Sequence, residues 1–325
     1  MKVHILDDWF DTLRRLPCFT RLAEHDVTVW TDHTEDPDTL AERLRDAEAL
    51  VLFRERTAIT ADLLARLPAL QLISQRSVYP HIDVDACTRS SVLLCSNMHA
   101  DTPSYAAAEL TLGLILAQAR QIPQQVASIR AGTWQMGVGR TLRGRTLGLY
   151  GYGRIGKAVA GYAEALGMRV QWWASDSGRE RAAAEGAVLA ESRRAFFERA
   201  DVISLHVRLK PDTRGIITRK DIGYMQPGAV LVNTSRSGLI EAGALEAAVA
   251  DGRVCAAVDV FEHEPFVDTD SPLLTHPNAL ATPHIGYVTE DEFDLQFSDI
   301  FDQVNAYADG APIHMINPSV WAARS

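Results

Sequence analysis

Six residues near the middle of the chain have the types and spacing of a dinucleotide-binding turn. The segment Gly151-Tyr152-Gly153-Arg154-Ile155-Gly156 follows an apolar run at 147–150 and precedes an alanine-rich stretch typical of a helix. In such a turn the first glycine permits the tight bend, the second lets the backbone approach a pyrophosphate, and the third lets the helix pack closely on the strand. Free N–H groups at the helix start favour an anion. Because the motif has the strand, turn and helix context it requires, the sequence predicts a dinucleotide site here.

The end of the next predicted strand is where the two nicotinamide dinucleotides are usually distinguished. An acid there binds the ribose hydroxyls of NAD. Residues 168–173 form this strand, but Ala174 follows it, and the nearest acid, Asp176, comes two residues later. Ala174 carries no charge to repel a 2′-phosphate, and Ser175 and Arg179 have donors that suit one. The residues themselves therefore leave the choice between NAD and NADP open.

Short apolar runs alternate with helical stretches along the chain, which predicts parallel sheets covered by helices on both faces. The predicted strands cover residues 2–6, 49–53, 70–74, 92–95, 146–150, 168–173, 202–206, 229–233, 254–260 and 279–281. The clearest predicted helices cover 38–46, 61–67, 102–121, 154–166, 242–250 and 289–308. The helix at 102–121 is apolar nearly all round, which indicates burial on every side, in a core or in a subunit contact.

Three charged or titratable side chains each follow an apolar run that is predicted to be a strand. They are Arg236, Asp259 and His284. Ligands bind beyond the carboxyl ends of the strands in open parallel sheets, so we expect these residues at one ligand-binding edge. Arginine offers a planar fork matched to a carboxylate. Histidine is suited to proton transfer near neutral pH.

Composition excludes several classes of protein. The chain has 325 residues, 47% apolar and 23% charged, as expected for a globular protein of two domains. Its net charge of −10 argues against nucleic acid as the main partner. No apolar run approaches the ~20 residues of a membrane span, and the first residues do not resemble a signal peptide. Four scattered cysteines, at 18, 87, 95 and 255, predict thiols in a reducing cytoplasm, with no disulfide frame and no metal site.

Five motifs carry a family resemblance over nearly the whole chain. They are G-Y-G-R-I-G from Gly151, S-L-H-V-R-L-K-P-D-T from Ser204, V-N-T-S-R-S-G from Val232, D-V-F-E-H-E-P from Asp259 and T-P-H-I-G from Thr282. In this order they resemble the D-isomer-specific 2-hydroxyacid dehydrogenases, the group that includes phosphoglycerate, glycerate and D-lactate dehydrogenases. The resemblance implies an α/β fold of two doubly wound parallel-sheet domains. A Rossmann cofactor domain at 99–287 would be inserted into a flavodoxin-like substrate domain at 1–98 and 288–325.

The same resemblance implies an oxidoreductase that transfers a hydride between NAD(P)(H) and C2 of a 2-hydroxy or 2-keto acid. Arg236 would bind the substrate carboxylate and carbonyl, His284 would be the acid and base, and Glu264 would orient and charge His284. NAD is the expected cofactor, with Asp176 in place of the missing acid. Contacts with the cofactor are expected from Tyr152, Gly153, Arg154, Ile155, Ala174, Ser175, Asp176, His206, Val207, Thr213, Thr234, Ser235, Arg236, Asp259, His284 and Gly286.

The substrate loop departs from the family pattern. Many members carry a glycine-rich loop whose N–H groups hold the carboxylate, whereas residues 75–83 contain no glycine. Expected substrate contacts are Arg54, Arg76, Ser77, Val78 and Tyr79, besides Arg236 and His284. Backbone N–H groups of residues 77–79 would replace those of the missing glycines. Either arginine would receive a distal phosphate or carboxylate, unless both pair with neighbours such as Glu55, and the Tyr79 ring would stack on a substrate ring. Ser237 stands where the family usually has glycine beside the arginine.

Other functions on the same fold remain open. The C-terminal binding protein corepressors use it to sense nucleotides and bind partners, and they retain the catalytic residues. Formate dehydrogenases share it as well, but they carry glutamine in the role of Glu264. The resemblance also implies a homodimer, formed through the helix at 102–121 and the following loop with Trp134.

Overall fold

The computed structural model describes residues 1–98, 104–264, 266 and 268–323. The strands are β1 (Lys2–Ile5), β2 (Asp26–Val29), β3 (Ala49–Val51), β4 (Leu72–Arg76), β5 (Leu93–Asn97), β6 (Thr146–Tyr150), β7 (Arg169–Trp173), β8 (Val202–Leu205), β9 (Val230–Asn233), β10 (Cys255–Val258) and β11 (Ala279–Ala281). The helices are α1 (Pro37–Arg43), α2 (Ala61–Leu64), α3 (Val84–Arg89), α4 (Ala106–Arg120), α5 (Ile122–Arg130), α6 (Arg154–Ala165), α7 (Asp176–Ala184), α8 (Arg193–Arg199), α9 (Arg219–Tyr224), α10 (Ala244–Ala250), α11 (Pro272–Thr275), α12 (Glu290–Ala308) and α13 (Ser319–Ala322).

The first compact unit comprises Met1–Pro103 and Thr289–Ser325. Its sheet is parallel throughout, in the order β2-β1-β3-β4-β5. This is the flavodoxin-like order, in which the winding direction reverses between β1 and β3. Strand β3 is apolar and buried, β1 and β4 are largely buried, and α12 packs against β4 and β5.

The second unit is Ser104–Val288, which is inserted between the two segments of the first. Its parallel sheet has the order β11-β10-β9-β8-β6-β7, with the reversal between β6 and β8. Strands β8 and β9 have no exposed side chain, as expected for a sheet covered on both faces. The predicted α/β class with two doubly wound parallel sheets is confirmed.

One strand was not predicted from the sequence. Strand β2, with the sequence Asp-Val-Thr-Val, lies at the edge of the first sheet, and Val29 is its one buried residue. An edge strand with one partner and a solvated side does not need the apolar run that marks a buried strand. The apolar criterion that found the other strands therefore missed it.

The helix predicted at 102–121 ends within one residue of the predicted bound, but part of its surface is exposed in the single chain. Helix α4 spans Ala106–Arg120 and has a buried face that includes Leu114 and Ile115, whereas Glu109 and Gly113 are exposed. At Gln121 the backbone turns left-handed, with a φ of +53°, and α5 begins as a separate helix. Thr102 and Pro103, predicted to open the helix, lie outside the described residues.

The described part of the chain contains no helix that is both long and apolar enough to cross a membrane. All four cysteines are free thiols; Cys18, Cys87 and Cys95 are buried, and Cys255 is half-buried. Burial raises the pKa of Cys18 and Cys95 to about 12 and that of Cys87 to about 11. These thiols therefore stay protonated near neutral pH.

Candidate active site

The glycine turn after β6 has the geometry that a dinucleotide requires. Gly151 has a φ of +108°, and a Cβ added there would lie 2.4 Å from the carbonyl oxygen of His206. A Cβ on Gly156 would lie 3.1 Å from the Gly151 carbonyl oxygen and from the Trp172 ring, so the third glycine lets α6 approach the sheet. A Cβ on Gly153 would meet nothing within 4 Å, and this residue caps the start of α6. The space in front of Gly153 and the N–H groups of the first helical turn fit a pyrophosphate.

His206 follows β8, which is the neighbour of β6 at the point where the winding reverses. Its Nε2 atom lies 2.9 Å from the Ser204 hydroxyl, and its backbone N–H donates to the Tyr150 carbonyl. Part of the residue reaches solvent, yet desolvation of the ring lowers the pKa of His206 to about 4. The ring is therefore neutral at physiological pH, and any contact it makes with a cofactor phosphate would be that of an uncharged group.

At the end of β7, Arg179 and Asp176 form an ion pair with each other. These are the two charged residues that matter for the choice between NAD and NADP. Arg179 places Nη2 2.5 Å from Asp176 Oδ1 and donates from Nη1 to the Ala174 carbonyl. Its guanidinium lies 4.5 Å from the centre of the Trp173 ring. The Ser175 hydroxyl accepts a hydrogen bond from the Gly178 N–H and so caps α7. Asp176 is thus an exposed carboxylate with a cation beside it.

Glu264 and His284 form the closest acid–histidine pair of the second unit. Oε2 of Glu264 lies 2.6 Å from His284 Nδ1, and its Oε1 accepts a hydrogen bond from the Phe261 N–H. Burial alone would raise the pKa of Glu264. The hydrogen bonds from His284 and Phe261, together with the charges of His284 and Arg236, outweigh burial and hold this pKa below its ordinary value. Glu264 is therefore ionised at neutral pH and favours a charged imidazole beside it.

Asp259 anchors the segment that carries His284. It is fully buried after β10; its Oδ1 accepts hydrogen bonds from the Thr282 hydroxyl and the Ile285 N–H, and its Oδ2 accepts one from the Gly286 N–H. Burial raises the pKa of Asp259, and these donors oppose that rise. His284 itself has a φ of +55°, a left-handed backbone that a non-glycine residue rarely adopts. The sequence predicted Asp259 only as a cofactor contact, and this anchoring role was missed.

Arg236 lies beyond β9, in a turn fixed by Asn233. The buried Asn233 side chain donates to the Arg236 carbonyl and accepts from the Ser235 N–H. The Ser235 hydroxyl donates to the Leu205 carbonyl, and the Arg236 guanidinium is half-buried, with Nη1 2.8 Å from the Ser235 carbonyl. Its charge lowers the pKa of Glu264, so Arg236 and the Glu264–His284 pair share one electrostatic environment.

The remaining predicted cofactor residues of this unit occupy the same carboxyl edge or the start of α6. The Thr234 hydroxyl lies 2.7 Å from that of Thr111, and the Thr213 hydroxyl donates to the Arg208 carbonyl. Tyr152 packs edge-on against Trp172, whereas Arg154 is exposed at the first turn of α6. Ile155 and Val207 pack partly buried against the core of the unit. Their cofactor contacts stay predictions.

The predicted substrate residues belong to the first unit, and two of them differ from expectation. Arg76 ends β4 with Nε 2.8 Å from Asp299 Oδ2, and its side chain is only 10% exposed, so it forms an internal ion pair. Tyr79 is half-buried against the core, where its ring is held by packing. The Ser77 N–H donates to the Asn97 carbonyl, and Ser77 has a φ of +78°. Val78 is exposed after β4, and Arg54 after β3 has a φ of +60°.

Comparison with known proteins agrees with this arrangement. Residues 112–286 match the model of the NAD binding domain of the D-isomer specific 2-hydroxyacid dehydrogenases. D-3-phosphoglycerate dehydrogenase from Methanocaldococcus jannaschii is 40% identical over 270 residues, which are 82% of this chain and 50% of that protein. Glyoxylate reductase from Aeropyrum pernix is 33% identical over 314 residues, 92% of each chain.

A solved structure extends the similarity to the fold. The crystal structure of a phosphoglycerate oxidoreductase from Vibrio cholerae O395 has 44% sequence identity and a TM-score of 0.89, and the match covers 96% of this chain and 100% of that one. The chain spans about half the length of the curated D-3-phosphoglycerate dehydrogenases that it matches. The match to the family model, together with 33% identity to the glyoxylate reductase over 92% of each chain, shows that the chain belongs to the D-isomer specific 2-hydroxyacid dehydrogenase family, and residues 112–286 are its NAD binding domain.

Proposed function

We propose that this protein is an NAD-dependent dehydrogenase that interconverts a 2-keto acid and a D-2-hydroxy acid. The observation that carries the proposal is the 2.6 Å contact between His284 and the ionised Glu264, at the same sheet edge as the glycine turn and Arg236. When bound, the nicotinamide supplies or accepts the hydride at C2. Arg236 would bind the carboxylate and polarise the carbonyl through its planar fork.

The hydrogen bond to Glu264 supports one nitrogen of the His284 ring as the proton-transfer atom. Because Nδ1 of His284 faces Glu264, Nε2 is the nitrogen that would donate a proton to the substrate oxygen during reduction. In oxidation the same nitrogen would accept the hydroxyl proton. Glu264 keeps the ring oriented and stabilises the charged form, and the Asp259 anchor fixes the backbone from which the ring projects.

A panel of 2-keto acids with NADH tests the proposal. We expect oxidation of NADH in the presence of glyoxylate, hydroxypyruvate or phenylpyruvate, and a D-2-hydroxy acid as product. Absence of turnover with every 2-keto acid, while NADH still binds, would contradict the proposal. That result would instead favour the nucleotide-sensing, corepressor-like alternative, which needs binding without turnover.

The cofactor prediction is that NADH supports a kcat/KM at least equal to that of NADPH. Two features favour NADPH instead. Ala174 carries no charge to repel a 2′-phosphate, and the Arg179 guanidinium lies beside Asp176. We expect the Asp176 carboxylate to offset that cation and to interact with the ribose hydroxyls. A preference for NADPH of about tenfold or more, about 1.4 kcal/mol, would contradict this prediction.

We also propose that the protein is a homodimer through α5 and the segment that follows it. Helix α5 has no buried residue, which is unusual for a helix with an apolar side. The exposed apolar residues here are Ile122, Val126, Ile129, Trp134, Met136 and Val138, and Trp134 is 74% exposed. Contiguous exposed apolar surface of this kind marks interaction sites in soluble proteins.

Sedimentation at micromolar concentration tests the dimer. The expected mass is twice the 35.7 kDa of one chain, and Trp134→Glu should shift the protein toward monomer, because the charge would be buried in the contact. Val188→Glu is the matched control, since Val188 is also exposed (66%) but lies outside this surface. A wild-type monomer would overturn the proposal.

We further propose a cytoplasmic location, supported by the four free thiols.

A further inference from the structure

A helix that contributes no residue to the predicted cofactor contacts packs directly on the cofactor edge of the six-stranded sheet. Helix α4 lies against β9 and β10, and its first turns reach the segment that carries His284. A Cβ added to Gly286 would lie 3.7 Å from both Ala107 Cβ and Leu110 Cδ2 of this helix. All of these residues belong to the second compact unit, so the contacts lie within one folded unit.

Thr111 of α4 determines the direction of a hydrogen bond at this edge. The residue is fully buried, and its hydroxyl donates at 2.7 Å to the Ala107 carbonyl oxygen, which can only accept. The same Thr111 oxygen lies 2.7 Å from the Thr234 hydroxyl. Because a hydroxyl has one proton, and that of Thr111 is already used, Thr234 must be the donor in this second contact.

The Thr234 hydroxyl is therefore left with acceptor capacity alone. Its proton is directed at Thr111, and the described part of the chain offers this hydroxyl no second hydrogen bond. Thr234 comes directly after β9 and is half-buried, so part of the residue faces the open edge of the sheet. An oxygen fixed in this way suits a ligand group that donates a hydrogen bond and cannot accept one.

The neighbouring strand end does not present its acceptor to a ligand. Asp259 comes directly after β10, but it has no exposed surface, and its two oxygens accept hydrogen bonds from donors of the segment at 282–286. This carboxylate is thus used inside the protein, to hold the segment that carries His284. The half-buried Thr234 hydroxyl, one strand away, keeps a free lone pair.

The topology of the sheet determines which half of a dinucleotide meets this edge. The winding reverses between β6 and β8, and a dinucleotide crosses the sheet at such a point with one mononucleotide on each side. The adenosine ribose is expected at the end of β7, so the nicotinamide half lies over β8, β9 and β10. In that half the ribose hydroxyls both donate and accept, whereas the carboxamide nitrogen only donates.

We propose that the Thr234 hydroxyl accepts a hydrogen bond from the carboxamide of the bound nicotinamide, and that Thr111 is the positioning residue that orients this hydroxyl. The inference rests on the proposed function, because the proposed hydride transfer places the nicotinamide at the edge that carries His284. Thr111 itself touches no ligand. It acts by accepting the hydrogen bond of Thr234, which turns the free lone pair of Thr234 away from α4.

Calorimetric titration with three ligands, in the absence of substrate, tests the carboxamide contact. ADP-ribose lacks the nicotinamide, and the reduced 3-acetylpyridine analogue of NADH carries a methyl group in place of the amide nitrogen. Thr234→Val should raise the Kd for NADH about three- to tenfold, the effect of losing one neutral hydrogen bond. The Kd values for ADP-ribose and for the analogue should change less than about twofold, because neither ligand has the amide donor. Thr234→Ser, which keeps the hydroxyl, should bind all three ligands like wild type.

Variants of Thr111 test its positioning role. Thr111→Val removes the acceptor that holds the Thr234 proton, so the Kd for NADH should rise while that for ADP-ribose stays constant, and Thr111→Ser should behave like wild type. Because Thr111 acts only through Thr234, the double variant Thr111→Val/Thr234→Val should bind NADH no more weakly than Thr234→Val alone. Thr275→Val is the matched control, since the Thr275 hydroxyl also donates to a carbonyl four residues earlier, that of Ser271 in the same unit.

Each outcome decides the inference. An unchanged Kd for NADH in Thr234→Val, or an equal rise for NADH and either of the other two ligands, would overturn the carboxamide contact. Additive losses in the double variant would exclude Thr111 as the residue that positions Thr234. Either result would leave the proposed dehydrogenase activity standing. Failure of the wild type to reduce any 2-keto acid would instead contradict the proposed function, which these titrations do not measure.

Discussion

Replacing His284 with glutamine is expected to lower kcat for 2-keto acid reduction by about 10²–10⁴-fold, the scale for losing a positioned general acid. Glutamine keeps much of the size of the ring and can still donate a hydrogen bond to Glu264, but it cannot transfer a proton. Steady-state reduction with NADH measures the loss. The dissociation constant for NADH should change little, because the turn proposed to bind the pyrophosphate follows β6, whereas His284 follows β11.

The control for this variant is a second histidine of the same unit. His263 is exposed in the segment that also carries Glu264, and His263→Gln should keep kcat within about twofold of wild type, as for most surface substitutions. A His284→Gln enzyme with kcat near the wild-type value would exclude His284 as the acid. A large rise in the dissociation constant for NADH would show that the substitution disturbs the cofactor domain.

Replacing Arg236 with alanine is expected to raise KM and lower kcat together. The substitution removes both the ion pair with the substrate carboxylate and the polarisation of the carbonyl, so the ground state and the transition state are each affected. Truncating one partner of a buried charge pair costs about 2–5 kcal/mol, which corresponds to a loss of roughly 30- to 4,000-fold in kcat/KM. Initial-rate kinetics over a range of keto-acid concentrations separates the two parameters.

Arg236→Lys distinguishes charge from geometry at the same position. Lysine keeps the charge but lacks the planar fork, so we expect a KM nearer to wild type and a kcat that stays low. Full activity in Arg236→Lys would mean that only the charge matters. An unchanged KM in Arg236→Ala would show that the substrate carboxylate does not bind to Arg236.

The fold was predictable from the sequence wherever strands are buried on both faces. The runs at 146–150, 202–206 and 229–233 are apolar because helices cover both faces of the sheet, and β6, β8 and β9 lie within one residue of those bounds. The edge strand β2 lacks that constraint and was missed. The end of α4 was predicted at Gln121, but helix α5, which begins at the next residue, was not predicted.

The site was predictable in so far as residue type determines chemistry. The glycine turn and the Glu264–His284 pair lie as the motifs indicated. What the sequence missed are contacts between residues far apart in the chain. The Asp259 anchor spans 26 and 27 residues to the N–H groups of Ile285 and Gly286, and the Arg76–Asp299 pair joins the two segments of the first unit. No local pattern indicates which of several acids will meet a given donor.

We propose that the ionised Glu264 orients His284 and supplies the negative charge beside it during proton donation. The hydrogen bonds and charges around Glu264 hold its pKa below the ordinary value, so this carboxylate is negative at neutral pH. Reduction of the keto acid consumes a proton and oxidation releases one, so reduction should fall with rising pH and oxidation should rise. Glu264→Gln removes the negative charge beside the proton donor, so reduction by the variant should begin to fall at a lower pH.

The decisive measurement is the pH profile of kcat for keto-acid reduction, compared between wild type and Glu264→Gln. The falling limb of the variant is predicted to lie at a lower pH than that of wild type, because a neutral amide no longer places a negative charge beside the proton donor. Identical falling limbs in the two enzymes would show that Glu264 does not set the charge of His284, and would contradict the assignment of these two residues as the acid–base pair.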